Sequence, residues 1–321
     1  MLIHNKRTER TYHKLSLYIA EILSELSLNF ADKIPGKLGR KVYLFRTIEY
    51  WHEYRSLICH VGGFQFKIPE LNYMFSIKDS HLAKVLYKYF KEKTRMQFSR
   101  YNGAIYVKVR DFIFLVPFPY GITELAETFY DECYGWFDVY NRTVIDVGAF
   151  IGDTAIYFAG KGAKKVIAFE PAPPLYEIAL KNVQINGLAD VINVRNEAVG
   201  EKFCTKTLNY DDSWPGRSSL VSARNTSSSL YKVKAVPLSN VIFEMDQVNL
   251  LKIDCEGYEH KMIREAYENR ALEKVSHIIV EVHQHPHRIF NILQKAHFKI
   301  EKVNGVDSET YILYASKQDI T

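Results

Sequence analysis

A chain of 321 residues suits one large domain or two modest ones, and its 47% apolar and 25% charged content excludes disorder, collagen and coiled coil. Its four cysteines form no Cys-x-x-Cys pair, which excludes a disulfide framework and a zinc signature and fits a reducing, cytoplasmic setting. The net charge of +5 hides an asymmetry: residues 1–110 hold 20 basic and 9 acidic side chains, whereas residues 111–321 hold 22 and 28.

The first residues carry charges with no apolar run behind them, so no secretion signal is expected. Leu15, Ile19, Ile22, Leu23 and Leu26 recur at helical spacing and predict an amphipathic helix over 11–29, stopped by Pro35-Gly36. Short strands are expected at 41–46 and 56–68, the latter broken by a turn at 61–63, and a helix at 79–93. A strand pair follows at 104–109 and 111–116, ended by Pro117 and Pro119; this apolar stretch is far short of the ~20 residues of a membrane helix. Residues 1–115 thus read as a small basic α+β domain, and 116–321 as a second domain entered through a helical connector at 121–140. The basic excess is interleaved with aromatics, as in Tyr87-Lys-Tyr-Phe-Lys91 and Arg95-Met-Gln-Phe-Ser-Arg-Tyr101. Lys and Arg attract phosphates while Tyr and Phe offer stacking faces, a composition that suits RNA, with Lys91, Lys93 and Arg95 as candidate contacts. For any one cluster a solvated face is the simpler explanation.

From Thr143 the pattern alternates strand and helix. Strands are expected at 143–147, 164–169, 190–195, 247–253, 275–282, 298–303 and 309–315, with helices at 153–160, 174–186, 257–268 and 286–296. Such alternation means an α/β domain, a mostly parallel sheet covered on both faces that binds ligands at the carboxyl ends of its strands. Only the Asn304-Gly305 region separates the last two strands, which predicts an antiparallel hairpin.

The stretch from Asp146 through Gly148, Ala149, Phe150, Gly152, Asp153 and Thr154 takes a buried strand into a helix by a glycine-containing turn. Glu170, followed by Pro171, ends the next strand 18 residues past Gly152, where a carboxylate can take both hydroxyls of a ribose. The Gly-x-x-x-Gly spacing and the acid in the turn argue against a dinucleotide pyrophosphate. A ligand with an amino acid end and a nucleoside end fits better, which describes S-adenosylmethionine.

These residues, with Asn182-Val-Gln-Ile-Asn-Gly187, Glu197-Ala-Val-Gly200 and Leu251-Lys-Ile-Asp-Cys-Glu-Gly-Tyr-Glu259, resemble the FkbM family of S-adenosylmethionine-dependent methyltransferases over about 120–315. The resemblance implies a class I methyltransferase, Rossmann-like seven-stranded sheet with its last strand antiparallel. It also implies cofactor contacts from Asp146, Gly148, Gly152, Glu170, Glu197 and Ala198. The family usually has Asn where this chain has Phe150. An FkbM-like group that includes RNA cytosine N4 methylation alongside sugar and natural-product O-methylation leaves both acceptors in view.

Strand four ends in Asp254-Cys-Glu-Gly257, facing the reactive methyl, so Asp254 and Glu256 are candidates for orienting the acceptor, Glu256 also as a base. Glu256 could equally cap the helix near Tyr258. Strand five carries Glu281 and His283 on one face; His283 either touches substrate or caps the next helix. His283, His285 and His287 alternate, but Pro286 separates their directions, so no metal is expected. The long segment 200–236 reads as a hairpin over the acceptor site, where Tyr210, Trp214 and Arg217 could hold a planar substrate, although a plain surface hairpin fits the same residues. The expectation is an RNA methyltransferase acting on a base amine in rRNA or tRNA, with O-methylation of a glycan or small molecule as the alternative.

Overall fold

The computed structural model describes residues 96–117, 121–211, 228–283, 285–306 and 310–318, together with the backbone of four strands between 49 and 77. The chain divides into two compact units, Met1–Ile105 and Tyr106–Thr321. In the first, β1 (Glu49–His52), β2 (Arg55–His60), β3 (Gly63–Ile68) and β4 (Tyr73–Ile77) form an antiparallel meander in sequence order. The break between β2 and β3 falls where the glycine pair predicted it, whereas β1 and β4 were not foreseen. β5 (Gln97–Tyr101) was not foreseen either. The helices expected at 11–29 and 79–93, the strand at 41–46, and Lys91, Lys93, Arg95, Trp214 and Arg217 lie outside the described residues.

The division falls ten residues ahead of the boundary expected from composition. β6 (Ala104–Val109) and β7 (Phe112–Val116) are sheet neighbours, and two amides on a later helix hold β7. On α3 (Pro173–Ile185) and its C-terminal flank, Asn182 and Asn186 lie one turn apart and meet alternate residues of β7. Leu115 N donates to Asn182 Oδ1 (2.7 Å) and Ile113 N to Asn186 Oδ1 (2.8 Å), while the two side-chain NH2 groups donate back to Leu115 O and Ile113 O. Two residues per strand repeat and one helical turn cover similar distances, which is why this pairing can close.

The second unit continues with α1 (Gly121–Phe129), β8 (Thr143–Val147), α2 (Asp153–Gly160), β9 (Lys165–Phe169), α3, β10 (Ile192–Arg195) and β11 (Ala198–Gly200). After these come β12 (Cys204–Asp211), β13 (Ser228–Pro237), α4 (Leu238–Phe243), β14 (Val248–Ile253), α5 (Glu259–Glu268), β15 (Val275–His283), α6 (Pro286–Lys295), β16 (Phe298–Gly305) and β17 (Thr310–Lys317). Seven strands form one sheet in the order β10-β9-β8-β14-β15-β17-β16, in which β17 alone runs against the others. This is the α/β, Rossmann-like sheet expected of a class I methyltransferase. The order reverses between β8 and β14, so a crevice opens at their carboxyl ends.

β8, β9 and β14 are apolar runs because helices cover both sheet faces; Ile145, Ile167, Leu251 and Ile253 are almost fully buried. Each such side chain contributes roughly 1.5–3 kcal/mol by leaving water. The connector behaves differently from its expected course. α1 ends at Phe129 rather than near 140, because Glu132 takes a left-handed conformation (φ 47°) and the chain turns at Cys133 to Gly135. β16 and β17 pair as expected, but Asn304 and Gly305 remain in the ladder opposite Ile312 and Tyr311, so the turn comes after them. Among the described residues no helix is long and apolar enough to cross a membrane.

Candidate active site

The carboxyl ends of β8, β9, β14 and β15 surround a cavity of about 190 Å³. One side begins at Gly148, whose φ of 79° and close approach to β14 both demand glycine: a Cβ there would lie 1.7 Å from Asp254 O. Gly148 N and Ala149 N both donate to Phe169 O at 3.0 Å, which folds the turn back against β9. Phe150 follows in a left-handed conformation (φ 49°) that turns its N–H toward Glu170 Oε2 at 2.9 Å. Glu170 Oε1 accepts from Ala172 N at 2.8 Å, so two backbone donors fix this carboxylate. Burial nonetheless pushes Glu170 up to about 8, the two N–H groups opposing that shift.

Of the residues expected to meet a cofactor, Gly148, Phe150, Asp153, Thr154, Glu170, Pro171, Glu197 and Ala198 line the cavity. Asp153 is buried, accepts from Thr128 Oγ1 at 2.7 Å, and is raised to about 6 by burial. Ala149 is buried inside the turn, and Gly152 starts α2 behind it, so neither forms the wall.

Asp146 corrects the expectation of a direct ligand contact. It is fully buried and off the cavity wall, with Thr154 Oγ1 donating to Oδ2 at 2.6 Å and Lys252 Nζ 3.1 Å from Oδ1. Lys252, on β14, lines the cavity too, and the sequence reading gave it no role of its own. It is 1% exposed, donates to Gly148 O at 2.8 Å and lies 3.9 Å from Asp254 Oδ2, its ammonium 5.1 Å from the centre of the Tyr134 ring. Burial works against its charge, but Asp146, Asp254 and Asp153 outweigh that and hold its pKa above the ordinary lysine value. A lysine inside the apolar run Val-Asn-Leu-Leu-Lys-Ile was the available signal.

The side formed by β14 and β15 is walled by acids. Asp254, Glu256 and Glu281 line it as anticipated, joined by Glu124, Glu127 and Tyr134 from the stretch read only as a connector. Tyr134 donates to Asp254 Oδ2 at 3.1 Å. Glu256 takes a left-handed conformation (φ 52°) in the turn that leads into α5.

His283 does share a face with Glu281: its Nε2 lies 3.6 Å from Glu281 Oε1 and 3.7 Å from Glu256 Oε2. Behind it stands Glu259, fully buried, accepting from His283 N at 2.6 Å with its Oε1 3.4 Å from the ring Nδ1. Burial opposes charge on His283, but Glu259, Glu256 and Asp254 raise it to about 9. Burial, reinforced by Asp254, holds Glu281 well above the usual carboxylate range. Cys255 is a packed thiol, raised by burial, with Sγ 3.8 Å from Glu259 Oε2.

Among the histidines, His285 and His287 stack edge to face on each other at 5.8 Å, and neither joins His283 in a donor cluster among the described residues. Within the segment expected to be a hairpin, β12 pairs antiparallel with β13. Tyr210 is nearly buried beside this ladder, edge to face with Tyr231 at 5.8 Å, and is off the cavity wall; among the described residues of the segment Leu208 lies on that wall.

Residues 146–301 match the family model described as the methyltransferase FkbM domain. The chain is 26% identical over 189 residues to methyltransferase sdnD of Sordaria araneosa, covering 48% of this chain and 72% of that protein. It is 23% identical over 181 residues to methyltransferase 1 of Beauveria bassiana, covering 49% and 71%. Similar solved structures include the putative tRNA (m1A22) methyltransferase Sp1610 of Streptococcus pneumoniae in complex with S-adenosyl-L-methionine (20% identity, TM-score 0.40, 59% of this chain and 73% of that one). With residues 146–301 similar to that model and the glycine turn opening on the crevice, the chain is an S-adenosylmethionine-dependent methyltransferase.

Proposed function

We propose that the chain transfers the methyl group of S-adenosylmethionine to a hydroxyl oxygen of a glycan or small molecule. The observation that carries this reading is the group around His283 Nε2, with Glu281 at 3.6 Å and Glu256 at 3.7 Å. The sulfonium is already activated, so an amine needs little more than alignment, whereas a hydroxyl must also lose a proton. In the transfer the new O–C bond forms as the C–S bond breaks, S-adenosylhomocysteine departs, and the proton passes to this cluster. The acids Glu127, Asp254 and Glu256 on the wall would also repel a phosphate chain drawn close to them.

Incubation with methyl-labelled cofactor and separate pools of hydroxylated acceptors and RNA, followed by mass spectrometry, tests the reading. The label should appear on oxygen, and Glu281→Gln should lower kcat at least tenfold; label found only on nitrogen would refute it.

A second reading is favoured by the net +11 of residues 1–110: methylation of a base amine, such as cytidine N4, in rRNA or tRNA gripped by Lys91, Lys93 and Arg95. RNA affinity would then fall by orders of magnitude between about 50 and 200 mM salt. Binding indifferent to salt, or unaltered on replacing those three residues together, would remove it.

A further inference from the structure

We propose that Asp254, Glu281 and His283 form a site for one divalent cation of the first transition row. One donor atom from each lies within 4.8 Å of the others, at the carboxyl ends of the adjacent strands β14 and β15. Metal bonds of about 2.0–2.2 Å bring such donors to within roughly 3–3.5 Å of each other. The 3.6 Å already present between His283 Nε2 and Glu281 Oε1 needs only a small side-chain adjustment.

The imidazole is presented as metal-binding histidines are. Its Nδ1 faces the fully buried Glu259 at 3.4 Å, leaving Nε2 for the crevice. Nδ1 makes no hydrogen bond in this arrangement, and a small ring rotation onto the Glu259 carboxylate would fix the tautomer and strengthen the outer nitrogen as a donor. Lys252 does not fill the position: its ammonium also pairs with Asp254 at 3.9 Å but sits closer to Asp146 at 3.1 Å and Gly148 O at 2.8 Å. One imidazole with two carboxylates suits Mn²⁺, Co²⁺ or Zn²⁺ better than Mg²⁺, which prefers oxygen alone.

The binding stands on this donor set, while its role rests on the hydroxyl reading. The cation would hold the acceptor oxygen and lower its pKa. With His283 engaged, Glu256 is left to take the proton as the O–C bond forms and the C–S bond breaks.

The probe is Mn²⁺ alone, added to the full chain and followed by loss of its free-ion paramagnetic resonance signal. One ion per chain should bind at micromolar concentration. His283→Ala and Glu281→Gln should each weaken binding at least tenfold. Glu259→Gln should weaken it about 10–100-fold from behind the ring. S-adenosylmethionine binding by each variant, measured in parallel, reports that it has folded. No saturable uptake below millimolar Mn²⁺, or uptake unchanged in folded His283→Ala and Glu281→Gln, overturns the site. The hydroxyl reading is judged separately by where the label lands: methyl on oxygen without Mn²⁺ uptake refutes only the cation, and Mn²⁺ uptake with methyl on nitrogen refutes only the acceptor.

Discussion

On β8 and β9 the carboxylates of Asp146 and Glu170 are each held by fixed donors: a lysine and a threonine for one, two backbone N–H groups for the other. On β14 and β15 the carboxylates of Asp254, Glu256 and Glu281 converge instead on one imidazole and on open space. The first arrangement is rigid and suits a ligand that is always the same. The second is crowded with like charge, which suits binding a cation or moving a proton. Lys252 joins them, because one ammonium touches Asp146, Gly148 O and Asp254.

Removing that link should produce the largest effect. Lys252→Met leaves Asp146 buried without its partner, a change that typically costs about 3–5 kcal/mol. Urea unfolding should show a loss of that size, partly regained at acid pH where Asp146 protonates. An unchanged midpoint would mean that the two halves of the crevice do not share this ion.

Asn182→Ala comes next. The side chain is fully buried and serves Leu115 N, Leu115 O and Ile151 O, so truncation strands buried backbone groups at about 1–3 kcal/mol each. Thermal unfolding should register it, while Asn186→Ala, more exposed, should cost less.

The smallest effect sharpens the contrast by pH. Glu170 sits near 8 in the folded protein against an ordinary 4.5, so its contribution to stability is full below about 4.5 and is lost as pH rises through 8. Binding a ribose by its hydroxyls favours the charged form, so cofactor affinity should rise with pH up to about 8. Calorimetry at pH 6, 7 and 8 should show a gain approaching tenfold per unit. Glu170→Gln should bind less tightly and lose the slope; a slope that survives would place the titration elsewhere.

Much of the second unit could be read from the chain. The strands of the seven-stranded sheet fall within two residues of their expected positions, because apolar runs buried on both faces are bounded by Gly, Pro and charged residues. Gly148 and Glu170 were legible for the same reason: local spacing fixes a strand, a turn and the next strand. Lys252, Glu259 and Tyr134 were not. Their meaning depends on partners 106, 24 and 120 positions away, which only the order of strands brings together. Asp146 was misjudged because its depth depends on Lys252, which neutralises it from a neighbouring strand.

The two amides of Asn182 and Asn186 also govern what β7 can do next. At the margin of its sheet, this strand would offer the N–H and C=O of Ile113 and Leu115 as a template for any extended chain. The helix answers those four groups with side chains, imitating a neighbouring strand without supplying one. Stray pairing along that margin is thereby blocked from within, and mutating both asparagines should promote self-association through this border.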